Sequence, residues 1–281
     1  MSFVLNMLKT LYAPLDQFIF PGSDYIDEEY MNNIIWLPPT IRIPYSIPAA
    51  CINVSPNRPW VIMMHGNAEN ITGGSINNAH DWNVNMLLIE YPGYGLSPGS
   101  PTAVEINAHC EIALHFLTNT IGVPLKNIIL AGRSIGTGPA CKLAAKYEIG
   151  GLILISAYST ICDIIANFIG WPAHMLFWER WDNKQAIETV VCPTLFIHGA
   201  KDTLIPCTHS KLLHQLSPAK IKIIRLLENA DHNAGIHNNL FADAIDQIID
   251  NACPNRPLSQ INIAKYKTAV INKNTLSLCS S

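Results

Sequence analysis

A chain of 281 residues that is 49% hydrophobic and only 14% charged is suited to one large, well-buried α/β domain with a weakly charged surface. A net charge of -3, with no Lys/Arg cluster along any helix, lacks the electrostatic footprint of a nucleic-acid binder. Eight cysteines without C-x-x-C pairs and ten histidines without a ligand spacing such as H-E-x-x-H point to free thiols in a reducing, cytoplasmic setting, and give no support for a metal or cofactor.

Residues 1–30 read as an N-terminal helix and arm. Phe3, Val4, Leu5, Met7, Leu8 and Leu11 fall largely on one helical face, shorter than the ~20 residues needed to span a bilayer. Packing over the core is the favoured reading, because the basic face of a membrane-surface helix is reduced to Lys9; peripheral membrane contact through residues 1–12 is the other. The domain proper occupies 31–250. Residues 33–37 and 41–43 suggest an edge hairpin, and Pro38, Pro39, Pro44 and Pro48 argue against a central strand there. The run W-V-I-M-M at 60–64 is continuously apolar, as in a parallel strand buried on both faces, and ends in His65-Gly66-Asn67-Ala68-Glu69. A polar helix follows to about Trp82, then a strand over 85–90, a turn-rich loop over 91–95, and a helix over 103–121.

Strands at 152–156 and 194–198 flank a stretch of more than thirty residues, 157–191, which is too long for a plain crossover and rich in aromatics. It reads as a helix plus a small cap. A strand over 220–227, a loop over 228–232 and a closing helix over 240–249 complete the domain; 251–281 is a tail without a defined element. Apolar strands alternating with helices imply a mainly parallel sheet, on which ligands bind beyond the carboxyl ends of the strands.

The chemistry concentrates at those ends. Residues 127–140 read N-I-I-L-A-G-R-S-I-G-T-G-P-A, a strand breaking through Gly132-Arg133-Ser134-Ile135-Gly136 into a helix, which is the context of a nucleophile elbow rather than of an ordinary glycine-rich turn. A serine nucleophile needs a histidine base held by an acid. Asp202 follows one strand and His232 follows the next, giving the order Ser134, Asp202, His232. Asp163 is the second candidate for the acid, although it falls where a helix should have begun. Asp231 is better placed to cap its own loop, His198 to prop the Asp202 loop, and His65 to shape its own; His237 lies in or near the closing helix. An oxyanion needs two donors, expected from the backbone NH of Ile135 and from that of Asn67, or of Ala68 if the turn is offset by one.

Taken together, MMHGNAEN, IEYPGYGLS, LAGRSIGTGPA, FIHGAKDTLIP and ADHN resemble the α/β-hydrolase superfamily, and the pairing of HGNAE with GRSIGTGPA is similar to the branch containing protein depalmitoylases and related microbial hydrolases. The resemblance covers roughly 31–250 and implies an α/β-hydrolase fold and hydrolysis of an ester or thioester. Depalmitoylases of that branch carry a cysteine-rich, lipid-modified N-terminus, whereas the first cysteine here is Cys51. Trp171, Phe177 and Trp178 of the cap are the expected contacts for a hydrophobic acyl chain, with ordinary packing as their other reading. A non-catalytic binding or scaffolding module and a prolyl-type aminopeptidase are the alternative functions.

Overall fold

The computed structural model describes residues 26–169, 181–233 and 242–252, with Ile261 and Tyr266. The N-terminal helix read over 1–12, the cap residues Trp171, Phe177 and Trp178, and His237 lie outside the described residues.

Eight strands form one sheet in the order β1-β2-β4-β3-β5-β6-β7-β8. They are β1 (Ile34–Leu37), β2 (Ile47–Ile52), β3 (Trp60–Met64), β4 (Asn85–Ile89), β5 (Ile128–Arg133), β6 (Gly151–Ile155), β7 (Thr194–Gly199) and β8 (Lys222–Leu227). From β4 through β8 every neighbour pair is parallel, whereas β1 and β2 add antiparallel at one side. The continuous apolar runs follow from burial on both faces. Trp60, Ile62 and Met64 of β3 enter one hydrophobic cluster, Val61 and Met63 the other, and β5 and β6 divide their side chains in the same way.

The first cluster is closed by helices α2 (Ala103–His115), α3 (Thr137–Lys146), α5 (Asn183–Ile187) and α6 (Thr208–Leu216), and the second by α1 (Asn78–Asp81) with Trp82 and by α7 (Ala242–Ala252). Local chemistry sets the limits of α2. Thr102 caps it by accepting from the Glu105 amide at 3.2 Å, and after a π-helical turn over Phe116–Ile121 it stops at Gly122, whose φ of 83° is the left-handed conformation glycine adopts without a steric cost. The remaining helix, α4 (Ile161–Ile169), opens the long insertion between β6 and β7. Thr160 and Asp182 meet as an isolated antiparallel bridge, so the insertion leaves and rejoins the domain at one place.

Two expectations about the start of the domain are corrected. The partner of β1 is residues 47–52 rather than 41–43, and the strand containing Pro48 is flanked on both sides. Pro48 is tolerated because it stands next to the start of β2, where only its carbonyl is needed: the Glu90 amide donates to it at 3.3 Å. Helix α6, between β7 and β8, was not anticipated from the sequence.

The elbow between β5 and α3 is a matter of space. A Cβ on Gly136 would meet the carbonyl oxygens of Met64 and, at 2.7 Å, of His65; one on Gly132 would meet Gly136 and, at 2.8 Å, the Cα of Thr137. These are backbone atoms in packed elements, and they cannot rotate away. Gly136→Ala should therefore lower stability by about 1–3 kcal/mol. An unchanged midpoint in urea would show that the turn has slack.

Helix α2 is tied to the sheet by His109, a fully buried residue whose Nδ1 donates to the Glu90 carbonyl at 3.0 Å and whose Nε2 faces the Tyr45 hydroxyl at 3.2 Å. Burial lowers its pKa to about 4, against a partly offsetting effect of the Glu90 hydrogen bond. The unfolded chain takes up this proton near pH 6.5 and the folded chain only near pH 4, so stability must fall as pH drops through that window. Unfolding in urea at pH 7 and pH 4.5 should show a loss of about 2–2.5 kcal/mol that is missing in His109→Gln. Equal losses in both proteins would remove His109 as the cause.

Candidate active site

Four loops converge at the carboxyl ends of the parallel strands: those after β3, β5, β7 and β8. The one after β5 carries Ser134, buried and with a φ of 50°. A non-glycine residue in this left-handed region costs of order 1–3 kcal/mol and persists only where its surroundings hold it there. The glycine contacts at 132 and 136 provide that hold.

Asp202 lies in the turn after β7. Its Oδ1 accepts from the amides of Leu204 (3.0 Å) and Ile205 (2.8 Å), and its Oδ2 faces Nδ1 of His232 at 2.7 Å and Nε2 of His198 at 3.3 Å. Burial pushes the carboxyl's pKa up, but hydrogen bonds from His198, His232 and the Ile205 amide outweigh it and hold the group well below the usual carboxylate range. It is therefore ionised and can only accept. His232 must carry its proton on Nδ1, which leaves Nε2 to accept from the Ser134 hydroxyl at 3.1 Å. The sequence-derived residues Ser134, Asp202 and His232 are thus brought into one hydrogen-bonded chain.

The alternatives fall elsewhere. Asp163 sits in the first turn of α4, bonded to the Ser159 hydroxyl at 2.6 Å and to Lys184 at 3.0 Å. Asp231 is exposed and accepts from the Asn233 amide at 2.9 Å. His198 also donates from Nε2 to the Ile205 carbonyl at 2.7 Å, so it braces the turn holding Asp202. Trp181 is packed against Gly138 of α3, with its indole NH donating to Asn107 at 2.9 Å.

The loop after β3 abuts the elbow, as the contacts of Gly136 with Met64 and His65 require. Within it, His65 Nδ1 donates to the Gly66 carbonyl at 2.8 Å and Nε2 faces Glu90 at 3.1 Å, all fully enclosed. The Gly66 carbonyl belongs to the same rigid peptide plane as the Asn67 NH, so fixing one aims the other. The Asn67 side chain accepts from the Tyr94 hydroxyl at 2.7 Å. Ile135 opens the turn leading into α3, where backbone NH groups point beyond the helix end. Arg133 was not singled out from the sequence, although it joins Glu69 of the first loop to His232 and Asn233 of the last. A charged residue ending the apolar run I-I-L-A-G was the available signal. Among the described residues no group of three or more His, Cys, Asp or Glu side chains is placed to hold a metal, and no helix is long and apolar enough to cross a membrane.

No protein-family model matches the chain. It is 29% identical over 202 residues to alpha/beta hydrolase domain-containing protein 17C of Xenopus tropicalis, an alignment spanning 71% of this chain and 64% of that protein. It is 32% identical over 190 residues to the human alpha/beta hydrolase domain-containing protein 17B, spanning 66% of this chain and 65% of that one. The chain thus covers a little less than two thirds of either relative. An esterase from Pyrococcus furiosus superposes with a TM-score of 0.64 at 14% identity, covering 82% of this chain and 96% of the esterase; at that identity the likeness is one of fold. With a mostly parallel eight-stranded sheet of the same architecture, the chain has an α/β-hydrolase fold, and in sequence it is similar to the alpha/beta hydrolase domain-containing protein 17 relatives.

Proposed function

We propose that the chain is a serine hydrolase that cleaves a carboxylic ester or acyl thioester through an acyl-enzyme. The observation that carries this reading is the continuous chain from Ser134 Oγ through His232 to the ionised Asp202. Ser134 attacks the acyl carbonyl carbon as His232 Nε2 takes its proton. The resulting oxyanion is held by the backbone NH groups of Ile135 and Asn67, each worth about 3 kcal/mol in the transition state. On collapse the bond to the leaving alkoxide or thiolate breaks, and His232 returns the proton to it. Water, deprotonated by the same nitrogen, then attacks the acyl-serine and releases the carboxylic acid. Asp202 keeps His232 in the one tautomer that can do this.

Similarity to the branch that contains protein depalmitoylases supports a long acyl chain, an S-acylated protein among the substrates, with Trp171, Phe177 and Trp178 of the cap as its contacts. Activity on a membrane-borne substrate would place the protein in the cytoplasm and peripherally on a membrane, through residues 1–12.

A fluorophosphonate probe should form an adduct on Ser134 of the folded chain and none on Ser134→Ala. Asp202→Asn should lower kcat by roughly 10⁴-fold, because the imidazole is then held in the wrong tautomer. A wild-type protein that resists the probe defeats the proposal and favours a binding module.

Acyl thioesters and p-nitrophenyl esters of increasing chain length should show kcat/KM rising with length, by about 4-fold per buried methylene, and aminoacyl amides should be inert. Preference for the amides would instead favour a peptidase.

A further inference from the structure

Arg133 occupies the position before the proposed nucleophile, and its side chain is only 6% exposed. Its two terminal nitrogens reach in different directions. Nη1 pairs with Oε1 of Glu69, whose Oε2 accepts the Gly66 amide at 2.9 Å, one residue before Asn67. Nη2 donates to the carbonyl of His232 at 3.4 Å and to Oδ1 of Asn233 at 2.8 Å. One planar group therefore spans the loop that presents the Asn67 NH and the loop that presents the His232 ring, while its own backbone leads directly into Ser134. Its Nε is buried without a hydrogen-bond partner among the described residues. The group is thus seated for its fork rather than for satisfying every donor.

We propose that Arg133 is a positioning residue, whose guanidinium holds the Asn67 loop and the His232 loop in register with Ser134 before substrate binds. This rests on the acyl-enzyme reading. Stability alone is a poor account of the arrangement, because the desolvation of a buried ion pair largely cancels its attraction. Geometry is the better one: a guanidinium offers donors in a fixed plane and can tie two partners at a set separation, which the single ammonium of lysine cannot do. A loop displaced by about 1 Å is enough to cost a hundredfold in rate.

The test compares wild type, Arg133→Lys, Arg133→Ala and Asn233→Ala, with Ser134→Ala as the unreactive reference. The readouts are the rate of fluorophosphonate labelling and the steady-state constants on an acyl thioester, at a temperature where each protein is folded by circular dichroism. The expected result is a kcat about 10-fold lower in Arg133→Lys and about 100-fold lower in Arg133→Ala, with KM changed by no more than about twofold, and partial recovery of Arg133→Ala labelling on adding millimolar guanidinium. A residue acting only through stability would lower the melting temperature and leave the kcat of folded protein alone. Should Arg133→Ala not fold, Arg133→Lys and Asn233→Ala decide, the latter with a loss of several-fold. If Ser134 is labelled as fast in these variants as in wild type, or if the loss falls on KM alone, the positioning role is overturned. Failure of wild type itself to label at Ser134 overturns the acyl-enzyme reading, and this role with it.

Discussion

The close approach of Gly136 to the carbonyls of Met64 and His65 is the contact on which the site depends. It presses the first turn of α3 against the end of β3, leaving no room for a side chain, and the chain can pass from β5 into the helix only through the left-handed conformation at Ser134. The strain, of order 1–3 kcal/mol, is held in place by β5, whose residues from Ile128 to Ala131 are completely enclosed. The same approach brings the loop after β3 alongside the serine. The strained serine proposed as nucleophile and the loop after β3 beside it are therefore both consequences of one packing contact.

Around this contact, the polar groups are arranged so that burial does not neutralise them. Asp202 would ordinarily take up a proton when withdrawn from water; four donors on its two oxygens prevent it. Asp163 shows that this is a local matter. Burial raises its pKa too, and hydrogen bonds from Ser159, Lys184 and Thr160 bring it below the usual carboxylate value. The two carboxylates are both charged, but one is spent on the base of α4 and the other faces an imidazole.

Legibility in the sequence followed the strength of the local constraint. The parallel strands were plain because burial on both faces demands unbroken apolar runs, and the elbow was plain because its two glycines have no substitute. Strand β2 escaped notice: its sequence I-P-A-A-C-I has small residues and a proline, and its identity comes from pairing with β1 and β4 rather than from its own preference. Helix α6 was missed for a related reason, since T-H-S-K-L-L-H-Q-L begins with residues that also favour turns. In the site, the three side chains that the structure joins by hydrogen bonds, Ser134, His232 and Asp202, could be picked out by residue type and strand-end position. What could not be read was which loops touch. Arg133 to Asn233 spans a hundred positions, and no spacing encodes that contact; the bracing of the Asp202 turn by His198 and the hold of His65 on its own loop are local, and both were expected from the sequence.

The base of the cap bears on the same contact from the opposite side. Tyr158 donates to the Ile135 carbonyl at 3.3 Å, Thr137 to the Ser134 carbonyl at 2.7 Å, and Asn183 to both the Tyr158 carbonyl, at 3.0 Å, and the Thr137 hydroxyl, at 3.4 Å. Tyr158 and Asn183 flank the Thr160–Asp182 bridge where the insertion leaves and rejoins the domain. The elbow's carbonyls are thus satisfied on the side facing the insertion, in a region where an unmet buried acceptor would cost about 1–3 kcal/mol. Because a peptide's NH and C=O point in opposite directions, holding the Ser134 carbonyl from that side orients the Ile135 NH away from it. The insertion is therefore part of the support for the proposed oxyanion donor at Ile135, whatever its outer residues contact, and a change of substrate preference through the cap would have to leave residues 158–160 and 181–183 in place.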